Sequence, residues 1–368
     1  MPRTLFTQFL RVAAIALLAL AVLPVLDADW WVVRSLDFPR VQLLALTILV
    51  AVGLALFERR SLYLWLALIG AAFAFHLDRV LPFTPLFFEG VKDAETCQPD
   101  RQIDIVLANV LQDNRDFEAT LTELRNADAD LILAMETDER WQAALSPLRA
   151  SHPHGPAVPL DNSYGMILYS RLPLSDVSVR YTVEPDVPSI AATLETEGGK
   201  PVRFIGIHPR PPLPGKDTGT RDAEIVMSAI DFNNNAVPVI LAGDMNDVPW
   251  SGTSDLFRQV SGARDPRFGR GIYPTFFTGV PGLSWPLDSA YLSDNFKVLA
   301  LDTLPRHGSD HAPLFLSLCL TDADPVFEEE DLVDPTASTE AREEIEAGLE
   351  QQQEEMAAGE DETMTPAE

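Results

Sequence analysis

The sequence predicts a mixed α/β domain carried on three membrane-spanning helices. Two patterns lead there. Before residue 82 the chain holds three apolar stretches, 12–26, 41–57 and 62–77, with almost no polar stripe. After residue 100, short β-rich runs alternate with helix-spaced segments, and polar residues recur at the ends of the runs.

The apolar stretches lie near the short end of the roughly 17–25 residues that cross a bilayer. The first also resembles the apolar core of a signal peptide, because Arg3 and Arg11 precede it. Its exit, Leu26-Asp27-Ala28-Asp29, offers no small-x-small cleavage site, and two more apolar runs follow at once. The expectation is therefore an anchor over 1–80 that meets the lipid bilayer through 12–77. Trp30 and Trp31 read as interfacial residues. Three spans with an inside N-terminus put everything after residue 80 outside. Arg59 and Arg60 on one side and Arg34 and Arg40 on the other nearly balance the charge signal. Residues 81–99 read as a linker.

The soluble domain is expected over 100–321. A β-branched run at 103–108 ends in Asn109, and Phe117, Leu121 and Leu124 follow at helical spacing behind Asp116. A second run, 131–135, ends in Glu136. Strand, helix, strand at this length predicts a right-handed parallel crossover, which brings Asn109 and Glu136 to one edge. The runs 166–170, 177–183, 190–195 and 202–207 read as antiparallel strands separated by Pro, Asp and Gly-Gly turns. The last delivers His208. A helix over 221–233 and a buried strand over 238–242 lead to Asp244 and Asn246. Asp288 opens another segment, and Gly308-Ser309-Asp310-His311 precedes the final strand. Arg171 and Arg221 are candidates for a phosphate contact, with surface ion pairs the preferred reading for both.

The chain carries a net charge of −28. Residues 322–368 hold 18 acidic residues against one basic, so the extreme acidity belongs to the tail. Few branched apolar residues occur there, and an acidic, disordered segment is expected, with a fraying helix over 343–356 as the alternative within it. The domain itself has 29 acidic and 18 basic residues, without the basic footprint of a duplex-binding protein. Two readings stand for Cys97 and Cys319: a disulfide in an oxidising compartment, or two unpaired thiols acting as small apolar residues. No P-loop, repeat or zinc-spaced Cys/His cluster is present.

Six segments carry a resemblance. They are Leu107-Ala108-Asn109-Val110, Leu133-Ala134-Met135-Glu136, Tyr164-Gly165-Met166-Ile167-Leu168-Tyr169-Ser170-Arg171, Ile207-His208-Pro209, Gly243-Asp244-Met245-Asn246 and Gly308-Ser309-Asp310-His311. In type and order they resemble the endonuclease/exonuclease/phosphatase superfamily. The Asn114-Arg115 pair, the His-Pro-x-Pro-Pro stretch and the anchor most resemble a bacterial, membrane-attached branch of it. Asp288-Ser289 departs from the family's frequent Asp-His.

The resemblance implies a four-layered α/β/β/α sandwich and a metal-dependent hydrolase of phosphate esters. It implies Mg²⁺, or Mn²⁺ in its place, held by Glu136 with Asn109 and Asp310. Asp244 would orient or deprotonate water, Asn246 would hold a phosphate oxygen, and His311 paired with Asp288 would stabilise the transition state. His208 would be the second imidazole. The implied location is a bacterial inner membrane, multi-pass, with the domain outside the cytoplasm. Three functions follow: a phosphodiesterase that includes nuclease action, a lipid or inositol-phosphate phosphatase or phospholipase at the membrane surface, or a silent binding module on the same fold. The partners are then a nucleic acid or lipid head group, with no obligate protein partner.

Overall fold

The structure is a computed structural model that describes residues 3–25, 29–322 and 335–364. The N-terminal helices are α1 (Arg3–Val22), α2 (Trp31–Arg34), α3 (Arg40–Phe57) and α4 (Leu62–Val80). Three segments, Thr4–Val25, Arg40–Phe57 and Leu62–Phe83, are long and apolar enough to cross a membrane, with mean hydropathies of 2.1, 2.2 and 1.6. At 1.5 Å per residue the 18-residue α3 is about 27 Å long, close to the thickness of a hydrocarbon core. The three pack through Leu10, Ala14, Leu17, Val50, Leu54 and Ala72.

The domain begins with β1 (Gln102–Asn109), α5 (Phe117–Asn126), β2 (Leu131–Met135), α6 (Glu139–Leu145), β3 (Ala157–Val158) and β4 (Met166–Ser170). It continues with β5 (Leu174–Arg180), β6 (Ser189–Glu195), β7 (Pro201–Ile207), α7 (Gly219–Asn233), β8 (Val239–Asp244) and α8 (Gly252–Ser261). The short hairpin β9 (Phe276–Phe277) and β10 (Ser284–Trp285) precedes β11 (Asp288–Leu292), β12 (Phe296–Thr303) and β13 (Leu314–Leu320). A last helix, α9, covers Pro335–Met364.

Two sheets form, in the orders β12-β13-β1-β2-β4-β3 and β11-β8-β7-β6-β5. The pairs β1–β2 and β7–β8 are parallel, each joined across a helix, and the other neighbours in both sheets are antiparallel. Strand alternation decides the layers. Ile103, Ile105 and Leu107 of the first sheet face Ile190, Phe204 and Ile240 of the second in the central core. The opposite face of β1 turns Val106 and Ala108 toward Trp141 and Leu145 of α6 and Leu124 of α5. On the far side, Ile205, Leu241 and Tyr291 meet α7, α8 and α9. This is the expected α/β/β/α sandwich, with both parallel crossovers directing strand ends to one edge.

Three expectations change. β5 begins at Leu174 rather than 177, because its pairing with β6 starts there. Residues 81–99 are no free linker: Phe83 is buried against Trp250 and Phe268, Val91 enters the central core, and Ala94 N–H donates to Val298 O. The acidic tail is not disordered throughout, since residues 335–364 form α9. That helix buries Ala337 and Ala341 on α7 and α8 with Ile345 half-buried beside them, so it docks mostly through small residues rather than through a branched apolar stripe. Residues 323–334 and 365–368 of the tail lie outside the described residues.

The two cysteines form a Cys97–Cys319 disulfide that ties the segment ahead of β1 to β13. The N-terminal helical segment also touches the domain directly. Trp250 Nε1–H donates to Asp37 O at 2.8 Å, and buried Arg34 pairs with Asp222 of α7 and Glu344 of α9.

Candidate active site

The sandwich collects the polar strand ends at one edge. Asn109 closes β1, Glu136 follows β2, His208 follows β7, Asp244 closes β8, Asp288 opens β11, and Asp310-His311 precede β13. Asp244 and Asp288 are register partners across β8 and β11. Packing of the two sheets brings Asn109 and Asp244 together, since the Asn109 Nδ2 donates to Glu136 Oε1 at 2.8 Å and to Asp244 Oδ2 at 3.0 Å. One amide thus bridges carboxylates from both sheets.

His311 Nδ1 lies 2.8 Å from Asp288 Oδ2, while its Nε2 is 3.6 Å from Asp244 Oδ2. His208 Nε2 is 3.8 Å from the same oxygen. The first contact is a hydrogen bond; the other two are too long to be. Each Nε2 therefore keeps its capacity for a substrate atom. His311 and Asp244 are almost wholly buried. Burial disfavours the His311 cation, but Asp288 and Asp244 outweigh it and push the group up to about 10. Burial likewise opposes charge on Asp244, yet His311, His208 and the Asn246 N–H hold it below the usual carboxylate range. At neutral pH His311 is held protonated against an ionised Asp244, while burial raises Asp288, its nearer partner.

Local backbone supports this arrangement. Glu136 and Asn246 both adopt positive φ, 60° and 48°. In that conformation the Asn246 N–H donates to Asp244 Oδ1, and its side-chain Nδ2 donates to Pro209 O, which fixes the His208 loop. The Asn246 amide keeps one N–H beyond the Pro209 bond. Asn109 Oδ1 accepts the Leu111 N–H, so this residue presents donors rather than lone pairs to Glu136. It fits as the holder of the Glu136 carboxylate better than as a direct metal ligand. The Asp310 carbonyl accepts from Phe277 N–H, while its buried Oδ1 has no hydrogen-bond partner.

Several contributors escaped sequence reasoning. Ser309 Oγ donates to Asn109 O and accepts from His311 N–H, which joins the tetrad to β1. Thr275 Oγ1 accepts from Asp288 N–H. The Phe276 ring lies 5.1 Å from the His311 ring, and the Tyr164 ring 5.7 Å from His208. Arg210 sits over Tyr164 and pairs with Glu184 and Asp186. Arg221, expected in a surface ion pair, is fully buried. It pairs with Asp222 and donates from Nη1 to Asn246 O, so it braces the Asp244–Asn246 loop from within. Serines and threonines are too common in loops to signal such roles, although Gly308-Ser309 did stand beside the tetrad's charged pair. Arg171 does form the expected ion pair, with Asp128.

Asp244, Asp288 and His311 also satisfy the distances of a three-ligand metal cluster. Their chemistry argues otherwise. His311 Nδ1 is committed to Asp288, and an imidazolium with no free lone pair repels a cation. The oxygens of Glu136 and, separately, the unpartnered Asp310 Oδ1 are of the hard donor type that a divalent ion takes.

The fold and this constellation define a phosphate-ester hydrolase class. The chain belongs to the Endonuclease/Exonuclease/phosphatase family, whose sequence model matches residues 106–311, more than half of the chain. Members of that family are metal-dependent phosphoesterases. Solved structures with a similar fold include D. rerio TDP2 complexed with single strand DNA product, at 14% identity and a TM-score of 0.48 over 59% of this chain and 98% of that one. They also include the Bacteroides vulgatus endonuclease/exonuclease/phosphatase, at 15% and 0.49 over 60% and 99%. The human Nocturnin catalytic domain with bound sulfate anion is similar at 19% and 0.48 over 61% and 97%. No curated protein matches the sequence.

Proposed function

We propose that this chain is a membrane-anchored, Mg²⁺-dependent phosphodiesterase with its catalytic domain outside the cytoplasm. One observation carries the catalytic part: Asp244 meets Asn109, His208 and His311 at once, while Asp288 holds the far nitrogen of His311. A phosphate ester needs a fixed anion to orient water and cations to absorb charge, and this cluster supplies both.

In this reading Glu136 and Asp310 hold the divalent ion, with Asn109 keeping Glu136 in place. The ion would supply Lewis-acid stabilisation of a phosphate oxygen. Asp244 orients the attacking water through its ionised carboxylate. His311 donates from Nε2–H to a phosphate oxygen, and Asp288 keeps its ring protonated and turned correctly. His208 donates to a second phosphate or leaving oxygen. Asn246 offers its remaining N–H. A silent binding module is disfavoured by the intact acid, imidazole and metal-donor sets.

The domain division follows: anchor 1–80, docking segment 81–99 and catalytic domain 100–321, with α9 as an added helix. The Cys97–Cys319 disulfide favours an oxidising compartment, such as the outer face of a bacterial inner membrane. Buried Arg34 and Arg40 are ion-paired on the domain side, which leaves exposed Arg59 and Arg60, among the described residues, as the positive charges of the opposite loop without a carboxylate in salt-bridge distance. A second reading, action on a lipid head group, is favoured by the β9–β10 hairpin. Phe276 at its base touches His311, and Gly282 near its tip accepts from Gln42 Nε2 at the start of α3. The site wall therefore reaches the end of a spanning helix.

The test is hydrolysis of bis(p-nitrophenyl) phosphate by the detergent-purified full chain, with Mg²⁺ and with chelator. Chelation should abolish turnover. His311→Ala and Glu136→Ala should each lower kcat by at least about 10²-fold, with unchanged far-UV circular dichroism. Full activity in either variant would overturn the assignment.

A further inference from the structure

Most cations near the site are already neutralised. Arg210 is shared by Glu184 and Asp186, Arg221 is locked to Asp222, and Arg115 leans on Asp113. Arg306 differs. It is exposed, and among the described residues it has no carboxylate within salt-bridge distance. Its guanidinium carbon instead lies 4.7 Å from the centroid of the Phe277 ring. The neighbouring Phe276 ring packs on His311, and Phe277 N–H donates to Asp310 O, so Arg306 stands on the rim of the catalytic cluster.

Its loop is built rather than loose. Asn114 Nδ2 donates to His307 O at 2.7 Å and to Val110 O at 3.2 Å. Gly308 turns the chain at φ +75°, where an added Cβ would come within 2.2 Å of Asn114 Oδ1. Leu304 N–H donates to Pro313 O on the other side. Beside this loop lies a surface cleft of about 550 Å³ whose lining joins Arg115 and His307 to the carboxylates of Asp116, Glu118 and Glu123, so the cleft adds no anion site of its own. A pre-positioned arginine on an aromatic shelf loses little freedom when an anion binds, and it suits a phosphate's fork geometry.

We propose that Arg306 reads a second phosphate of the substrate, next to the one that is cleaved. The inference rests on the phosphoesterase reading and deepens it, for it makes the natural substrate a compound with at least two phosphates. A domain of net negative charge must supply such a contact locally, and Arg306 is an uncommitted cation where it is needed. Arg306 is a specificity residue here, outside the bond-breaking machinery.

The experiment compares the full-length wild type with Arg306→Ala and Arg306→Lys by calorimetric binding and by turnover. Probes are thymidine 5′-monophosphate, thymidine 3′,5′-bisphosphate and inositol 1,4-bisphosphate. The wild type should bind at least one bisphosphate about tenfold more tightly than the monophosphate, and whichever gains identifies the nucleotide or the polyol source. Arg306→Ala should lose that gain, Arg306→Lys should keep part of it, and both should hydrolyse bis(p-nitrophenyl) phosphate with the wild-type kcat. Equal affinity for mono- and bisphosphates, or an unchanged preference in Arg306→Ala, overturns the proposal. Bisphosphate preference without any hydrolysis by the wild type would instead sink the phosphoesterase reading and leave the anion site standing.

Discussion

At the scale of single residues the decisive feature is the protonated His311 between Asp288 and Asp244. Its folded value, about 10, stands above the ordinary 6.5. The stabilisation from this pairing is thus fully present below about 6.5 and is lost as pH rises through about 10. Activity should follow the same proton. It should hold through neutrality and fall on the alkaline side as His311 loses its Nε2–H donor capacity for phosphate. Asp288→Asn keeps the shape of the partner but removes the nearer charge. We expect the alkaline limb of kcat/KM to move down by more than about one pH unit, with kcat at neutrality falling about 10²-fold. An alkaline limb that stays in place would show that another group sets it. Sequence reasoning found His311 because a charged tetrad beside a strand start is visible in one dimension, and it took Asp288 as the partner from the family resemblance. It could not find the Ser309 and Thr275 hydroxyls that orient the pair, because Ser309 reaches Asn109, 200 residues away in the chain, and Thr275 reaches Asp288 across 13 residues of hairpin.

At the scale of elements, legibility tracked side-chain burial. β2 and β4 are buried on both faces, and their boundaries, 131–135 and 166–170, are readable from apolar runs. β12 alternates buried and exposed residues and includes Lys297 and Asp302, so it hid among loop residues. α9 was legible only in part, since a fraying helix is expected over 343–356 but neither its full extent nor its docking. Its contact with α7 is made by small residues: a Cβ on Gly348 would meet Ala223 Cβ and Gly219 O, both at 2.4 Å. Hydrophobic patterning does not register glycine and alanine as a packing face. Gly348→Leu should therefore push α9 off α7, at a cost of about 1–3 kcal/mol. Differential scanning fluorimetry should show a lower Tm, and limited proteolysis should release the tail sooner. The active centre, built on other strand ends, should keep its kcat. Unchanged protease resistance would mean that α9 does not depend on this close approach.

At the scale of the whole molecule, the N-terminal helices and the domain constrain each other. The segment between α1 and α3 touches the domain through Asp37 O on Trp250, Arg34 on Asp222 and Phe38 on Trp285. The segment after α4 touches it through Phe83 and Val91. In the proposed anchoring, both segments lie on the domain's side of a bilayer crossed by α1, α3 and α4. The start of α1 and residues 58–61 lie at the other end, where Arg11 pairs with Glu58 and the Glu58 carboxylate accepts the backbone N–H groups of Arg59, Arg60 and Ser61. An even number of spans would put the N-terminus and the domain on one side and break this geometry. Single-cysteine labelling can decide it: Ser61→Cys and Ser151→Cys, each in a Cys97→Ser/Cys319→Ser background, are probed in sealed inner-membrane vesicles with a membrane-impermeant maleimide. In right-side-out vesicles the Ser151→Cys variant should react, and the Ser61→Cys variant should stay protected until detergent is added. In inverted vesicles the pattern should reverse. Labelling of both sites from the same face would show that the apolar helices do not all cross, and the docking contacts would then belong to a protein lying on one surface.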